Sequence, residues 1–107
     1  MAGNEFTVTL SPVEAQELLD INLWEKQVFS DVYKLGQGIY IFITVYEKYY
    51  MRNGSTAGLV IICENTTGST LVKVNSIGSG EGIFNIDWGA GEDFVDKVKD
   101  LISDYII

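Results

Sequence analysis

The strongest constraint on this chain is the run from Gln27 to Ile77, where β-branched and aromatic residues fill every segment and every gap carries turn chemistry. The natural reading is an antiparallel meander of four strands. Gly36-Gln37 fits a two-residue type II′ turn with glycine where φ must be positive, which pairs Val32 with Ile41 and Tyr33 with Tyr40. Asn53-Gly54 favours a type I′ hairpin and sets Val45 opposite Ile62 and Tyr46 opposite Ile61. Thr66-Thr67-Gly68 fits a three-residue loop with a left-handed last residue, pairing Ile62 with Val72 and Val60 with Val74.

These registers predict two unlike faces. One gathers Val28, Val32, Ile39, Ile41, Ile43, Val45, Val60, Ile62, Val72 and Val74, an aliphatic set suited to helix packing. The other gathers Phe29, Tyr33, Tyr40, Phe42, Tyr46, Leu59, Ile61, Cys63 and Leu71, with Asp31, Thr44, Lys73 and Asn75 among them. A slip of one residue in any hairpin exchanges that strand's faces, so the assignment depends on the turn types.

The flanks complete the fold. Asn4 to Leu10 alternates Phe6, Val8 and Leu10 with polar residues, the period of a half-buried strand. Ser11-Pro12-Val13-Glu14 supplies an N-cap hydroxyl, a proline preset for the first helical position and a glutamate for a capping box. Val13, Leu18, Leu19 and Ile21 are the expected buried stripe of that helix. From Glu92 to Ile107, Phe94, Val95, Val98, Leu101, Ile102, Tyr105 and Ile106 recur at helical spacing and predict an amphipathic second helix. The order β-α-β-β-β-β-α gives an α+β fold of two layers, an antiparallel sheet with both helices on one face, in a single domain over residues 1–107. The TATA-binding-protein-like arrangement is the nearest shape, a topological likeness only.

Composition then narrows function. A net charge of −8 opposes phosphate backbones and anionic membranes, so neither nucleic acid nor membrane is an expected partner. The chain has no His, which removes the commonest general base and metal ligand and most familiar catalytic arrangements with it. Neither a secretory signal pattern nor an apolar run near the roughly 20 residues of a spanning helix is found, and the expected location is the cytoplasm. The one cysteine, Cys63, follows Ile61-Ile62 and reads as a small core hydrophobe.

Tyr46-Glu47-Lys48-Tyr49-Tyr50-Met51-Arg52-Asn53-Gly54, Ile77-Gly78-Ser79-Gly80, Gly82-Ile83-Phe84-Asn85-Ile86-Asp87-Trp88-Gly89-Ala90 and Phe94-Val95-Asp96 together resemble a family of small bacterial proteins of unknown function. The resemblance spans most of the chain after Val28. It implies a bacterial cytoplasmic protein and carries no activity, ligand or catalytic residue.

Gly78-Ser79-Gly80-Glu81-Gly82 lacks the spacing of a dinucleotide fingerprint and the lysine of a Walker loop, and reads first as a connection from the sheet edge to the second helix. Were it to converge with Trp88, a small ligand pocket rimmed by Ser79, Glu81 and Asp87 would form. Asp31, Glu47, Glu81 and Asp87 are candidate carboxylate pairs, but fifteen acids in 107 residues make chance proximity common. No metal spacing, cofactor motif or catalytic residue is assigned. The leading expectation is a non-enzymatic interaction module that forms a homodimer through an open aromatic sheet face, with Phe29, Tyr33, Tyr40, Phe42, Tyr46 and Ile61 at the interface. The alternative is a binder of a small apolar molecule, with Tyr33, Tyr40, Phe42 and Tyr46 lining a pocket closed by the Gly78 to Trp88 loop.

Overall fold

The computed structural model describes residues 2–23, 25–50, 55–78 and 90–107. In chain order these form β1 (Ala2–Val8), α1 (Pro12–Asn22), β2 (Lys26–Gly36), β3 (Ile39–Tyr50), β4 (Ser55–Glu64), β5 (Thr70–Gly78) and α2 (Ala90–Ile102), followed by a 3-10 turn at Ser103–Tyr105. The strands make one antiparallel sheet in the order β1-β5-β4-β3-β2, with both helices on one side of it. The α+β class and the element order are as the sequence predicts.

Local chemistry sets the start of α1. Ser11 Oγ accepts from the Glu14 N–H at 3.1 Å and Glu14 Oε1 accepts from the Ser11 N–H at 2.9 Å, closing the capping box, with Pro12 in the first turn. The buried stripe differs from the expected one. Pro12, Ala15 and Leu19 are buried, whereas Val13 and Ile21 face solvent, Ile21 with 74% of its surface exposed. The helix lies on the sheet through its i, i+4 pair Ala15 and Leu19, and that pair turns Val13 and Ile21 away.

The second helix is also shorter than its periodicity suggests. It ends at Ile102, and the last residues run beside β1 instead: the Thr9 N–H donates to the Tyr105 carbonyl and the Ile107 N–H to the Thr7 carbonyl, both at 2.9 Å. Val8 and Ile106 pair across this junction. Backbone donors at the sheet edge thus gain partners that continued helix would not offer them.

Two of the three registers differ by one residue from those expected. In the first hairpin Val32 pairs with Phe42 and Tyr33 with Ile41; the turn residues are Gln37 and Gly38, at φ 56° and 79°, one position later than expected, which by itself moves the pairing by two residues. Two positive φ values make this a type I′ turn. Gly36, also at positive φ, flanks it, and a bulge at Leu35 takes back one residue, leaving the net shift of one that turns β2 over. In the last hairpin Cys63 pairs with Val72 and Ile61 with Val74. Asn65 has left the ladder there: its Oδ1 accepts from the Tyr40 N–H at 2.9 Å and its Nδ2 donates to the Gly38 carbonyl at 3.0 Å, bracing the neighbouring hairpin. Glu64 Oε1 meanwhile accepts from the Thr66 N–H at 2.7 Å. The turn then runs from Asn65 to Gly68, and the register moves by one. The middle hairpin pairs Tyr50 with Ser55 and Val45 with Val60, a shift of two residues that leaves the faces unchanged; Asn53-Gly54 lies outside the described residues.

The helices cover the other face of β3 and β4, not the aliphatic one expected. Rungs across the sheet on the helix side read Phe6-Val72-Cys63-Phe42-Val32, then Val74-Ile61-Thr44-Ser30, then Ser76-Leu59-Tyr46-Gln27. Tyr46, Leu59, Ile61, Cys63, Val72 and Val74 are all buried there against Ala15, Leu19, Val95, Val98 and Ile102. The other face carries Phe29, Asp31 and Tyr33 beside Ile41, Ile43, Val45, Val60, Ile62, Leu71 and Lys73.

Candidate interaction surface

Helix and strand geometry decide what stays uncovered. Eleven helical residues span about 16 Å at 1.5 Å each, whereas the eleven residues of β2 extend about 36 Å at 3.3 Å each. The helices pack on β1, β3, β4 and β5, and every residue of β2 is exposed. Val28, Phe29, Val32, Tyr33 and Leu35 retain between 37% and 58% of their surface, on an edge strand that among the described residues pairs with no strand but β3. Next to Phe29 and Tyr33, on the face away from the helices, Ile41, Ile43, Val45, Val60 and Ile62 are only half-buried. Among the described residues this aliphatic field has no helix over it.

Charge borders the field at both ends of one rung, Glu5-Lys73-Ile62-Ile43-Asp31. Lys73 Nζ lies 2.9 Å from Glu64 Oε2 and 3.9 Å from Glu5 Oε2. Burial pushes the Glu64 carboxyl up, but the Lys73 ammonium and the Thr66 N–H and hydroxyl outweigh it and hold it below the usual carboxylate range. Glu64 in turn raises the Lys73 pKa. At the β2 end, Asp31 Oδ1 accepts from the Val32 N–H at 2.8 Å. A hydrogen bond with Asp31 also raises the Tyr33 hydroxyl.

Of the six interface residues expected from sequence, only Phe29 and Tyr33 lie on this open face. Tyr40 and Phe42 point to the helix side, half-buried and stacked with centroids 6.2 Å apart. Tyr46 and Ile61 are 1% exposed, so the structure takes both off any surface. The one-residue slip of the first hairpin separates Phe29 and Tyr33 from the β3 aromatics they were expected to join, and the helices, seated on the Tyr46 and Ile61 side, bury those two. The four aromatic residues of the expected pocket are divided in the same way, with Tyr33 on one face and Tyr40, Phe42 and Tyr46 on the other. Ser79, Glu81, Asp87 and Trp88, with the loop that was to close the pocket, lie outside the described residues. Asp31 and Glu47 share a face but stand two rungs apart, about 13 Å at 3.3 Å per residue, and frame no common cleft.

Sequence reasoning missed a polar lock between α1 and the sheet. Asp20 Oδ1 accepts from Gln27 Nε2 at 2.7 Å and from the Tyr46 hydroxyl at 3.2 Å, and Gln16 Nε2 donates to Thr44 Oγ1 at 2.7 Å. Burial, with the nearby Asp20 carboxylate, pushes Tyr46 up to about 12. Glu25, its side chain 6% exposed, is held by Lys97 at 3.1 Å and faces Lys48 at 3.8 Å. No short-range signal announces these partners, which are up to 72 residues apart. Cys63 behaves as its setting implies, since burial drives its thiol up to about 12 and keeps it protonated at neutral pH. Among the described residues no three metal-ligating side chains cluster, and no helix is long and apolar enough to cross a membrane.

A shallow cleft of about 420 Å³ lies where Leu10, Ser11, Asn65, Ser69 and Ile107 meet. Its Ser11 hydroxyl is committed to the helix cap and its Asn65 amide to the β2–β3 hairpin. The profile of a family of unknown function, DUF6054, matches residues 1–106, and the chain belongs to that family. No curated protein and no solved structure matches the chain.

Proposed function

Starting from membership in a family with no assigned activity, we propose that this chain is a self-associating interaction module that buries its open sheet face against a second copy. One observation carries the reading: Phe29 and Tyr33 stand half-exposed beside an aliphatic field on the side of the sheet away from both helices. Their exposed parts and those of the neighbouring aliphatics form a continuous patch on the order of the few hundred Å² that mark an interaction surface.

A second copy suits this face better than an unrelated partner because the patch is self-complementary. Two sheets stacked about 10 Å apart interdigitate β-branched side chains of this kind. A two-fold axis along the strands lays the β2 side of one copy over the β5 side of the other. The aliphatic rows of β3 and β4 in one copy then lie over those of the other, and the charged rim stays at the border of the contact.

Light scattering on the whole chain tests the proposal. The wild type is expected at twice the 11.9 kDa chain mass at micromolar concentration. Replacing Phe29→Ser and Tyr33→Ser together should return it to the monomer mass with little change in melting, since both side chains are half in water already. A wild type that scatters as a single 11.9 kDa species at every concentration overturns the reading.

A further inference from the structure

A sheet of this kind has two edges, and they are treated differently. The β1 edge is overlain at Thr7 to Thr9 by the C-terminal residues, which take the Thr9 N–H and offer the Ile107 N–H to the Thr7 carbonyl. Among the described residues the β2 edge has no such cover. An edge strand with unpaired backbone groups and apolar side chains is a template for pairing with another chain.

The ladder identifies which groups are free. Residues of an antiparallel strand turn their N–H and C=O alternately toward and away from the partner strand. The Val32 N–H reaches its own neighbour's carboxylate at 2.8 Å, so it points away from β3. By the same alternation Ser30 and Lys34 also present their groups outward. Register shifts at Val28 and Leu35 bracket this stretch, leaving Phe29 to Lys34 as its regular part. Asp31 lies within that part, and its side chain occupies the donor an incoming strand would need.

We infer that Asp31 is a guard on the β2 edge: its carboxylate caps the Val32 N–H and places a charge beside the edge, which blocks edge-to-edge pairing between copies. This inference stands apart from the face-to-face dimer but bears on it. A chain that makes one face contact and one edge contact can join to two neighbours and grow into longer assemblies. With the edge guarded, face-to-face association closes at two copies.

The test compares Asp31→Ala with the wild type by light scattering and amide exchange over a range of concentrations, with circular dichroism to verify the fold. Asp31→Ala is expected to show at least twice the wild-type mass, with slowed exchange at the Ser30, Val32 and Lys34 amides. Adding Val32→Pro, which removes the freed donor at an edge position that tolerates proline, should return the mass to the wild-type value. Because the reading is the difference from wild type, it holds whether the wild type proves dimeric or monomeric. A folded Asp31→Ala chain with the wild-type mass at every concentration overturns the inference, and so does growth that persists with Val32→Pro.

Discussion

Glu64 enters a nearly closed environment and stays charged because Lys73 and the Thr66 N–H and hydroxyl meet its oxygens. Its folded pKa lies below the unfolded one, so its contribution is present above the ordinary carboxylate range and is lost as pH falls through the depressed value. Lys73 has the opposite sign: its raised pKa gives a contribution that is complete below the ordinary lysine range and is lost as pH rises through the raised value. Glu64→Gln should therefore melt below the wild type at neutral pH, with the gap closing as both are acidified below the carboxylate range. Thermal melts at a series of pH values measure it, and a gap that stays constant into acid would assign the loss to the Thr66 turn rather than to charge. Cys63 was legible from its two preceding isoleucines. The roles of Glu64 and Asn65 were not, because each depends on a neighbouring hairpin that local sequence does not specify.

Among the elements, α1 is the one whose start was written most openly, since a capping box needs only residues three apart. Ser11→Ala removes the acceptor for the Glu14 N–H and should destabilise the protein by about 1 kcal/mol, within a usual span of about 0.5–2. Chemical denaturation measures this, and Ser11→Asp should recover most of the loss because it restores an acceptor. The end of α2 was less legible. Tyr105 and Ile106 continue the helical period, yet edge donors and acceptors on β1 claim their backbone. A periodic pattern records which side chains are apolar, and a strand beside the core needs the same side chains as a helix.

For the molecule as a unit, fold and assembly should be separable by two matched pairs of substitutions. Phe29 and Tyr33 face away from the helices, whereas Tyr40 and Phe42 face toward them, and Phe42 packs against the core cluster. Changing Tyr40 and Phe42 to Ser should lower the melting temperature and leave any association intact, the reverse of the Phe29 and Tyr33 pair. The cost should stay below the about 3–5 kcal/mol typical of a fully buried aromatic, because both rings are only half-buried. One thermal melt and one sizing run per pair check it. Loss of association with the Tyr40 and Phe42 pair would move the contact surface to the helix side.

Element order and the antiparallel pairing of consecutive strands from β2 to β5 follow from patterns a few residues long: turn residues, a cap and two periodicities. These are local, and each is satisfied by the same chemistry wherever the segment lies. The choice of buried face is not local. Both faces of β3 and β4 are apolar, with Phe42, Tyr46, Leu59 and Ile61 on one and Ile41, Ile43, Val60 and Ile62 on the other, so burial alone barely separates them. Leu35 bulged out beside the Gln37-Gly38 turn and Asn65 left the ladder to brace that hairpin, and each left a register displaced by one residue. With a side-chain period of two, each of those moves turned a whole strand over. Only the assembled sheet, with its helices seated, determined that the aliphatic field and the Asp31 edge remain at the surface.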